Sequence, residues 1–252
     1  MNELKNKVAI ITGAASGMGK AIAELFAAEG AKLVLADVSH EGMYAIVSAI
    51  HEKGFPVVGV HADMSSEEDV KKIIDKAIAE FGGIDVVVNN AGVMDDFVPV
   101  AEVTDELWER VMRINLYGPM YACRLAVPFM LQRGGGCIIN ISSIGGLHGA
   151  RAGAAYTSSK HGLIGLTKNI AYHYGDKNIR CNTIAPGGVN TNIGAGMKPN
   201  ELGFAKISLG LKTNLRMGEP GEIAEVALFL ASQRSSLLNG AVIVADAGWT
   251  AY

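Results

Sequence analysis

The sequence predicts a doubly wound α/β fold, with one parallel sheet of about seven strands and helices on both of its faces. Two observations predict it. Short, apolar, β-branched runs alternate with longer amphipathic segments along the whole of the 252 residues. Most of those runs are apolar almost throughout, as strands are when helices cover both faces of a parallel sheet. This βαβα rhythm implies right-handed crossovers. No linker or low-complexity segment interrupts it, so residues 1–252 read as one domain.

VAIIT (8–12) is the first strand, and TGAASGMGK leads into a helix over about 17–29. KLVLAD (32–37), a helix at 40–53, PVVGVHAD (56–63) and a helix at 66–81 follow in turn. IDVVVNN (84–90) is the fourth strand, and a long helix pattern covers 104–132. CIINIS (137–142), a helix at 155–175 and IRCNTIAP (179–186) continue the alternation. Glu219-Pro220-Gly221-Glu222 marks a helix start for 220–232, with proline early where its missing N–H costs nothing. AVIVAD (241–246) closes the sheet. The stretch 187–217 breaks the rhythm and lacks an apolar strand. It leaves the C-terminal end of a strand, the edge where such sheets bind ligands, and its length marks a binding loop.

Composition narrows the function. The chain is 49% hydrophobic and 19% charged, enough for a sizeable core, and its net charge of −3 comes without a basic block. No nucleic-acid surface is expected. No signal-peptide pattern opens the sequence and no apolar run reaches membrane-spanning length, so a cytoplasmic protein without a membrane partner is expected. Cys123, Cys137 and Cys181 lack paired or metal-ligand spacing and read as buried structural thiols. His61, His148, His161 and His173 share no metal spacing, so no metal site is expected. His148, in GGLHGAR, is a candidate substrate contact.

The first turn carries Gly13, Gly17 and Gly19 in a G-x-x-x-G-x-G spacing, with Ser16 and Met18 among them. Glycine lets the backbone turn tightly against a pyrophosphate, and the next helix offers free N–H groups and its positive dipole end. Asp37 ends the second strand, followed by Val38. A carboxylate there accepts hydrogen bonds from both hydroxyls of an adenosine ribose. It repels a 2′-phosphate, which carries up to about two negative charges. NAD is therefore expected over NADP.

TGAASGMG, NNAG (89–92), ISS (141–143), YTSSK (156–160) and PGGVNT (186–191), in this order and at these separations, resemble the short-chain dehydrogenase/reductase family from Lys7 to the C-terminus. The resemblance implies a Rossmann-type dinucleotide-binding and catalytic domain. Tyr156 would be the general acid/base, Lys160 its electrostatic partner, and Ser143 the donor to the reacting oxygen. Ser142 should point elsewhere. Asn115, in RINLYG, would hold a water in a proton path to the lysine. Asp63 and Met64 match the adenine contact, and Asn90, Ala91 and Gly92 the segment beside the adenosine. Pro186, Gly187, Val189 and Thr191 match the segment that holds the nicotinamide. SSLLNG (235–240) and DAGW (246–249) depart from the family pattern away from these motifs.

The side chains support that chemistry. A ketone accepting hydride needs a hydrogen bond and then a proton on its oxygen, which Ser143 and Tyr156 can supply. The reverse reaction needs tyrosinate, and a free tyrosine ionises only near pH ~10. Residues 156 and 160 share a helical face. The lysine ammonium and a positive nicotinamide ring both favour phenolate. A drop of two to three pH units means about 3–4 kcal/mol, whereas an exposed charge pair at 4 Å gives only about 1 kcal/mol. The pair must be shielded, or helped by the cofactor's charge.

Asp95 and Asp96, after NNAGVM, read as a solvated loop at the mouth of the site, with contact to a polar substrate the alternative. Leu163, Leu166 and Ile170 form a stripe that either packs on the sheet or meets a partner. The resemblance implies that segments 104–132 and 155–175 pair with their copies in a homotetramer, with the C-terminal GWTAY reaching across. The expected activity is an NAD-dependent secondary-alcohol dehydrogenase or ketone reductase. The alternatives are a 3-oxoacyl-carrier-protein reductase, a sugar or hydroxysteroid dehydrogenase, and, outside enzymes, an NAD-binding regulator.

Overall fold

The computed structural model describes residues 2–251. Seven parallel strands lie in the order β3-β2-β1-β4-β5-β6-β7. They are β1 Val8–Thr12, β2 Lys32–Asp37, β3 Val57–His61, β4 Val86–Asn89, β5 Gly136–Ile141, β6 Ile179–Pro186 and β7 Val242–Ala245. From β1 the chain steps outward through β2 to β3, then returns to β4 on the other side of β1 and steps outward again. The turns after β1 and β4 therefore flank the switch point, where ligands enter such sheets.

Alternation along β1 shows how both faces are filled. Ala9 and Ile11 pack with α1 (Gly17–Ala28), α2 (His40–Glu52) and α8 (Pro220–Ala231). Val8 and Ile10 pack with α3 (Glu67–Phe81), α5 (Gly118–Gln132) and α6 (Ala154–Tyr174). Fully burying one such side chain, Phe26 for example, contributes roughly 1.5–3 kcal/mol. Side-chain caps start α2 at Ser39, α3 at Ser66 and α4 (Asp105–Met112) at Thr104, and a Glu219–Glu222 capping box starts α8. The three cysteines are buried and unpaired. Among the described residues no helix is long and apolar enough to cross a membrane.

The helix expected over 104–132 is not continuous. It divides into α4 (Asp105–Met112), a π-helical turn at Arg113–Tyr117 and α5. Pro119 has no N–H to give the Asn115 carbonyl four residues back, and just before it the Gly118 N–H reaches the Arg113 carbonyl five residues back. The stretch 187–217 holds a helix not foreseen in the sequence, α7 (Glu201–Leu211), started by Asn200, whose side chain accepts from the Gly203 N–H at 2.9 Å. Its amphipathic signal is short, and two glycines dilute it. Leu163 and Ile170 are buried in the chain's own core, with Leu166 against them, so the stripe on α6 packs inward.

Between the sheet and α6 lies a buried polar chain. Asn89 Nδ2 donates to Asn140 Oδ1 at 2.8 Å, and Asn140 Nδ2 donates to Thr167 Oγ1 at 2.8 Å. Thr183 Oγ1 donates to the same hydroxyl at 2.8 Å, which itself donates to the Leu163 carbonyl at 2.9 Å. Four elements, β4, β5, β6 and α6, are joined beneath the site.

Candidate active site

A cleft of about 610 Å³ opens at the switch point, walled by the turns after β1, β2, β3 and β4 and by the loop after β6. Gly13 and Gly17 take the left-handed conformation, φ +66° and +52°, which side-chain-bearing residues rarely adopt. A Cβ on Gly19 would overlap the Gly13 carbonyl oxygen and stand 2.6 Å from Asn90 Nδ2. Gly19 is therefore buried behind the turn and shapes it, and does not line the cleft as Gly13, Ser16, Gly17 and Met18 do. Gly19→Ala is expected to lower Tm by at least 5 °C and to weaken dinucleotide binding at least tenfold, because ~2 kcal/mol of overlap must be relieved by moving the turn. Thermal melts and a fluorescence titration check both.

Thr12 and Asn90 lock this turn to NNAG. The Asn90 and Ala91 N–H groups each donate to Thr12 Oγ1 at 3.1 Å, and Asn90 Nδ2 donates to the Thr12 and Gly13 carbonyls at 2.9 and 3.0 Å. Asp37 is braced too: its carboxylate accepts from the Ala15 and Ser39 N–H groups at 2.9 and 2.8 Å. Asp37, Val38, Asp63, Met64, Asn90, Ala91, Gly92 and Thr191 all line the cleft. Thr191 stands across from the glycine turn, its Cγ2 3.1 Å from where a Gly17 Cβ would lie. Pro186, Gly187 and Val189 do not line it. Gly187 N–H donates to Ala245 and Val189 bridges to Gly218, which fixes the start of the loop that carries Thr191. Sequence reasoning missed Arg110 and Ile114, which reach the cleft from α4 and the π-turn and carry no motif signal.

The chemical groups converge behind Gly92. Tyr156 and Lys160 lie one turn apart on α6, with the lysine Nζ 5.6 Å from the tyrosine ring centre. Lys160 Nζ donates to the Ile141 carbonyl at 2.8 Å, and a Gly92 Cβ would come within 3.4 Å of it. Ser142 Oγ donates to the Lys160 carbonyl at 3.0 Å, whereas Ser143 Oγ accepts from the Gly145 N–H at 3.0 Å and lies on the Tyr156 side, so the two serines diverge as expected. Asn115 is buried, and its amide pairs with both backbone groups of Val93, at 2.9 and 3.0 Å, and with Ser159 Oγ at 3.2 Å. Ser159, not singled out in the sequence, thereby links Asn115 to the Tyr156 carbonyl at 2.7 Å.

Electrostatics differ from the expectation in one respect. Burial pushes the Tyr156 phenol up to about 12, with Asp95 adding to the rise and the Ser143 hydrogen bond opposing it. Burial also brings Lys160 down to about 8. The phenol thus holds its proton at neutral pH. Forming the phenolate would be helped by a positive charge beside the ring, such as an oxidised nicotinamide would supply.

Lys160 has a consequence for stability. Between its folded value of about 8 and the ordinary 10.5, the unfolded chain keeps a proton that the folded chain has lost. Stability therefore rises with pH across that window, and the cost of burying the ammonium is present in full below it. The Tm of wild type relative to Lys160→Met is expected to climb between pH 7.5 and 9.5 by scanning calorimetry; a flat difference refutes it.

Other expectations change. Asp95 is fully buried, not solvated, and Asp96 is half-buried. His148 and the other three histidines singled out are exposed. Trp249 is buried against α7, its indole donating to the Gly210 carbonyl and Thr213 Oγ1 at 3.0 and 2.9 Å, and so does not reach outward; Tyr252 lies outside the described residues.

A family model described as enoyl-(acyl carrier protein) reductase matches residues 13–250. The chain is 45% identical over 251 residues to 3beta-hydroxysteroid dehydrogenase 2 of Eggerthella lenta, covering 99% of this chain and 96% of that one. It belongs to the short-chain dehydrogenase/reductases. This dehydrogenase/reductase is also 38% identical to the 3-oxoacyl-(acyl-carrier-protein) reductase of Thermotoga maritima, over 97% of its own length and 98% of the relative's. Among solved structures it superposes on levodione reductase with a TM-score of 0.89 and 35% identity, over 99% of this chain and 100% of that one. As a family member it is an oxidoreductase of alcohols and ketones that uses a nicotinamide cofactor. The residues present fit that group: left-handed glycines in the first turn, an α1 N-terminus without a side-chain cap, and Asn90 Oδ1 buried with no partner among the described residues.

Proposed function

We propose that the chain is an NAD-preferring ketoreductase and secondary-alcohol dehydrogenase whose substrate carries its carbonyl on an apolar frame. The observation that carries this reading is the pairing of Asp37, which lines the cleft, with Ser143, Tyr156 and Lys160, grouped behind its Gly92 wall. NAD or NADH supplies the hydride acceptor or donor when bound. Gly13, Ser16, Gly17 and Met18 would hold its pyrophosphate, Asp37 its ribose, Met64 its adenine, and Thr191 its carboxamide. Ser143 Oγ hydrogen-bonds the substrate oxygen, and the Tyr156 hydroxyl passes its proton to that oxygen in reduction and takes it back in oxidation. Asn115 braces the site through Val93 and Ser159.

The apolar frame rests on the loop after β6. Ile193, Leu202, Phe204 and Leu209 are exposed along it, and Met94, Ile114 and Met197 line the cleft. Exposed apolar side chains grouped beside a cleft mark a binding surface. The relative named as a hydroxysteroid dehydrogenase agrees with such a substrate. A second reading, reduction of a 3-oxoacyl group on a carrier protein, is favoured by the Thermotoga maritima relative. The net charge of −3 does not favour docking of an acidic carrier. The test is a screen of NADH and NADPH oxidation with 3-ketosteroids, cyclic ketones, 3-ketoesters and sugar lactones, and of NAD reduction with the matching alcohols. NADH turnover on a steroid or cyclic ketone supports the reading, and turnover on 3-ketoesters with NADPH alone overturns it. A cytoplasmic homotetramer is the accompanying proposal, checked by light scattering.

A further inference from the structure

Asp95 is a carboxylate with no exposed surface and three backbone partners. Its oxygens accept from the Gly153 N–H at 3.0 Å, the Tyr156 N–H at 2.9 Å and the Phe97 N–H at 3.2 Å. Gly153 is the N-cap position of α6, which has no side-chain cap of its own. The free N–H groups of the first turn of α6, the turn that bears Tyr156, are thus met from the segment after β4. The fit is close: a Cβ on Gly153 would come 2.6 Å from Asp95 Oδ2 and 2.5 Å from the Val98 nitrogen. A backbone bond from Ala154 N–H to the Val98 carbonyl at 2.9 Å closes the junction.

The same short segment holds α7. Asp96 and Phe97 both take positive φ, 53° and 60°, a conformation that persists only where the surroundings enforce it. The Asp96 carbonyl accepts from the Asn200 N–H at 2.8 Å, and the Phe97 and Phe204 rings lie 6.0 Å apart. Gly203 packs on the Phe97 carbonyl with no room for a Cβ. One segment therefore carries the helix of the loop after β6 on one side and the first turn of α6 on the other.

We propose that Asp95 is a positioning residue for the reaction, fixing the first turn of α6 so that the Tyr156 hydroxyl meets the substrate oxygen. This rests on the reading of Tyr156 as the acid/base. The charged groups around Tyr156 are Lys160 from its own helix and Asp95 from the β4 side; Arg151 is turned onto the Trp249 ring at 4.5 Å. Asp95 disfavours the phenolate as well as placing it, which makes its two effects separable.

The test is Asp95→Asn in alcohol oxidation with NAD, beside Gly153→Ala, which crowds the same junction and leaves the charge in place. For Asp95→Asn, plateau kcat is expected to fall about tenfold to a hundredfold, the cost of a misplaced reacting group. The acid limb of the pH–kcat profile moves to lower pH, and the NAD dissociation constant by fluorescence titration stays within twofold. Gly153→Ala loses kcat similarly with its limb unmoved, and it carries the test if Asp95→Asn does not fold. A plateau kcat within twofold of wild type overturns the proposal, as does a kcat loss matched by lost NAD affinity with an unmoved limb. Tyr156→Phe, run alongside, separates the failures: an active Tyr156→Phe removes the acid/base reading, whereas an inactive Tyr156→Phe with a wild-type Asp95→Asn removes only the role of Asp95.

Discussion

Tyr156→Phe is expected to lower kcat about a thousandfold in both directions and to leave NADH binding within twofold of wild type. The ring stays packed and only the hydroxyl is lost. That hydroxyl is buried, and burial pushes it up to about 12. Proton transfer by a positioned group contributes about 10²–10⁴-fold. The loss therefore falls on kcat, and KM for the dinucleotide is spared, because the cleft is walled by other residues. Steady-state kinetics with a fluorescence titration decide it. Near-wild-type turnover would falsify the acid/base role. The profile of the wild type adds a check of sign. On this reading reduction uses the phenol and is expected to proceed at neutral pH, whereas oxidation uses the phenolate and is expected to rise with pH over the same range.

Asp37→Asn is expected to raise the ratio of kcat/KM with NADP to that with NAD about tenfold to a hundredfold. Setting like charges together costs a few kcal/mol, and ~1.4 kcal/mol is one factor of ten. Asparagine removes the charge and keeps one oxygen to accept from Ala15 or Ser39, so the turn it braces is retained. A wild type that already prefers NADPH, or a variant with an unchanged ratio, rules out this assignment.

Much of this was legible in the sequence, for physical reasons that differ by element. Strands such as VAIIT and IRCNTIAP are buried on both faces, so their composition alone announces them. The glycine turn was legible because only glycine tolerates its backbone, and the Tyr156–Lys160 pair because helical spacing puts both on one face. Asp95 was misread as solvated because a carboxylate after a loop glycine looks the same whether it faces water or two N–H groups 58 and 61 residues along the chain. The π-turn was hidden for a similar reason: the apolar period of 104–132 runs on, and one missing N–H at Pro119 breaks the bonding without breaking the pattern. Trp249 gave no local sign that it would close on Gly210.

The hydrogen-bonded chain of Asn89, Asn140, Thr167 and Thr183 bears on how the molecule assembles. Side chains alternate along a strand, so a slip of β5 by one residue turns Asn140 out of the layer it shares with Asn89 and Thr167. The amide and hydroxyls left behind are then dry and unpaired, a costly state in an apolar interior. The alignment that satisfies them is the one that brings Ser143, after β5, level with Tyr156 on α6. The network thus acts as a proofreader of strand register: a misaligned sheet is penalised in the same place where it would be inactive.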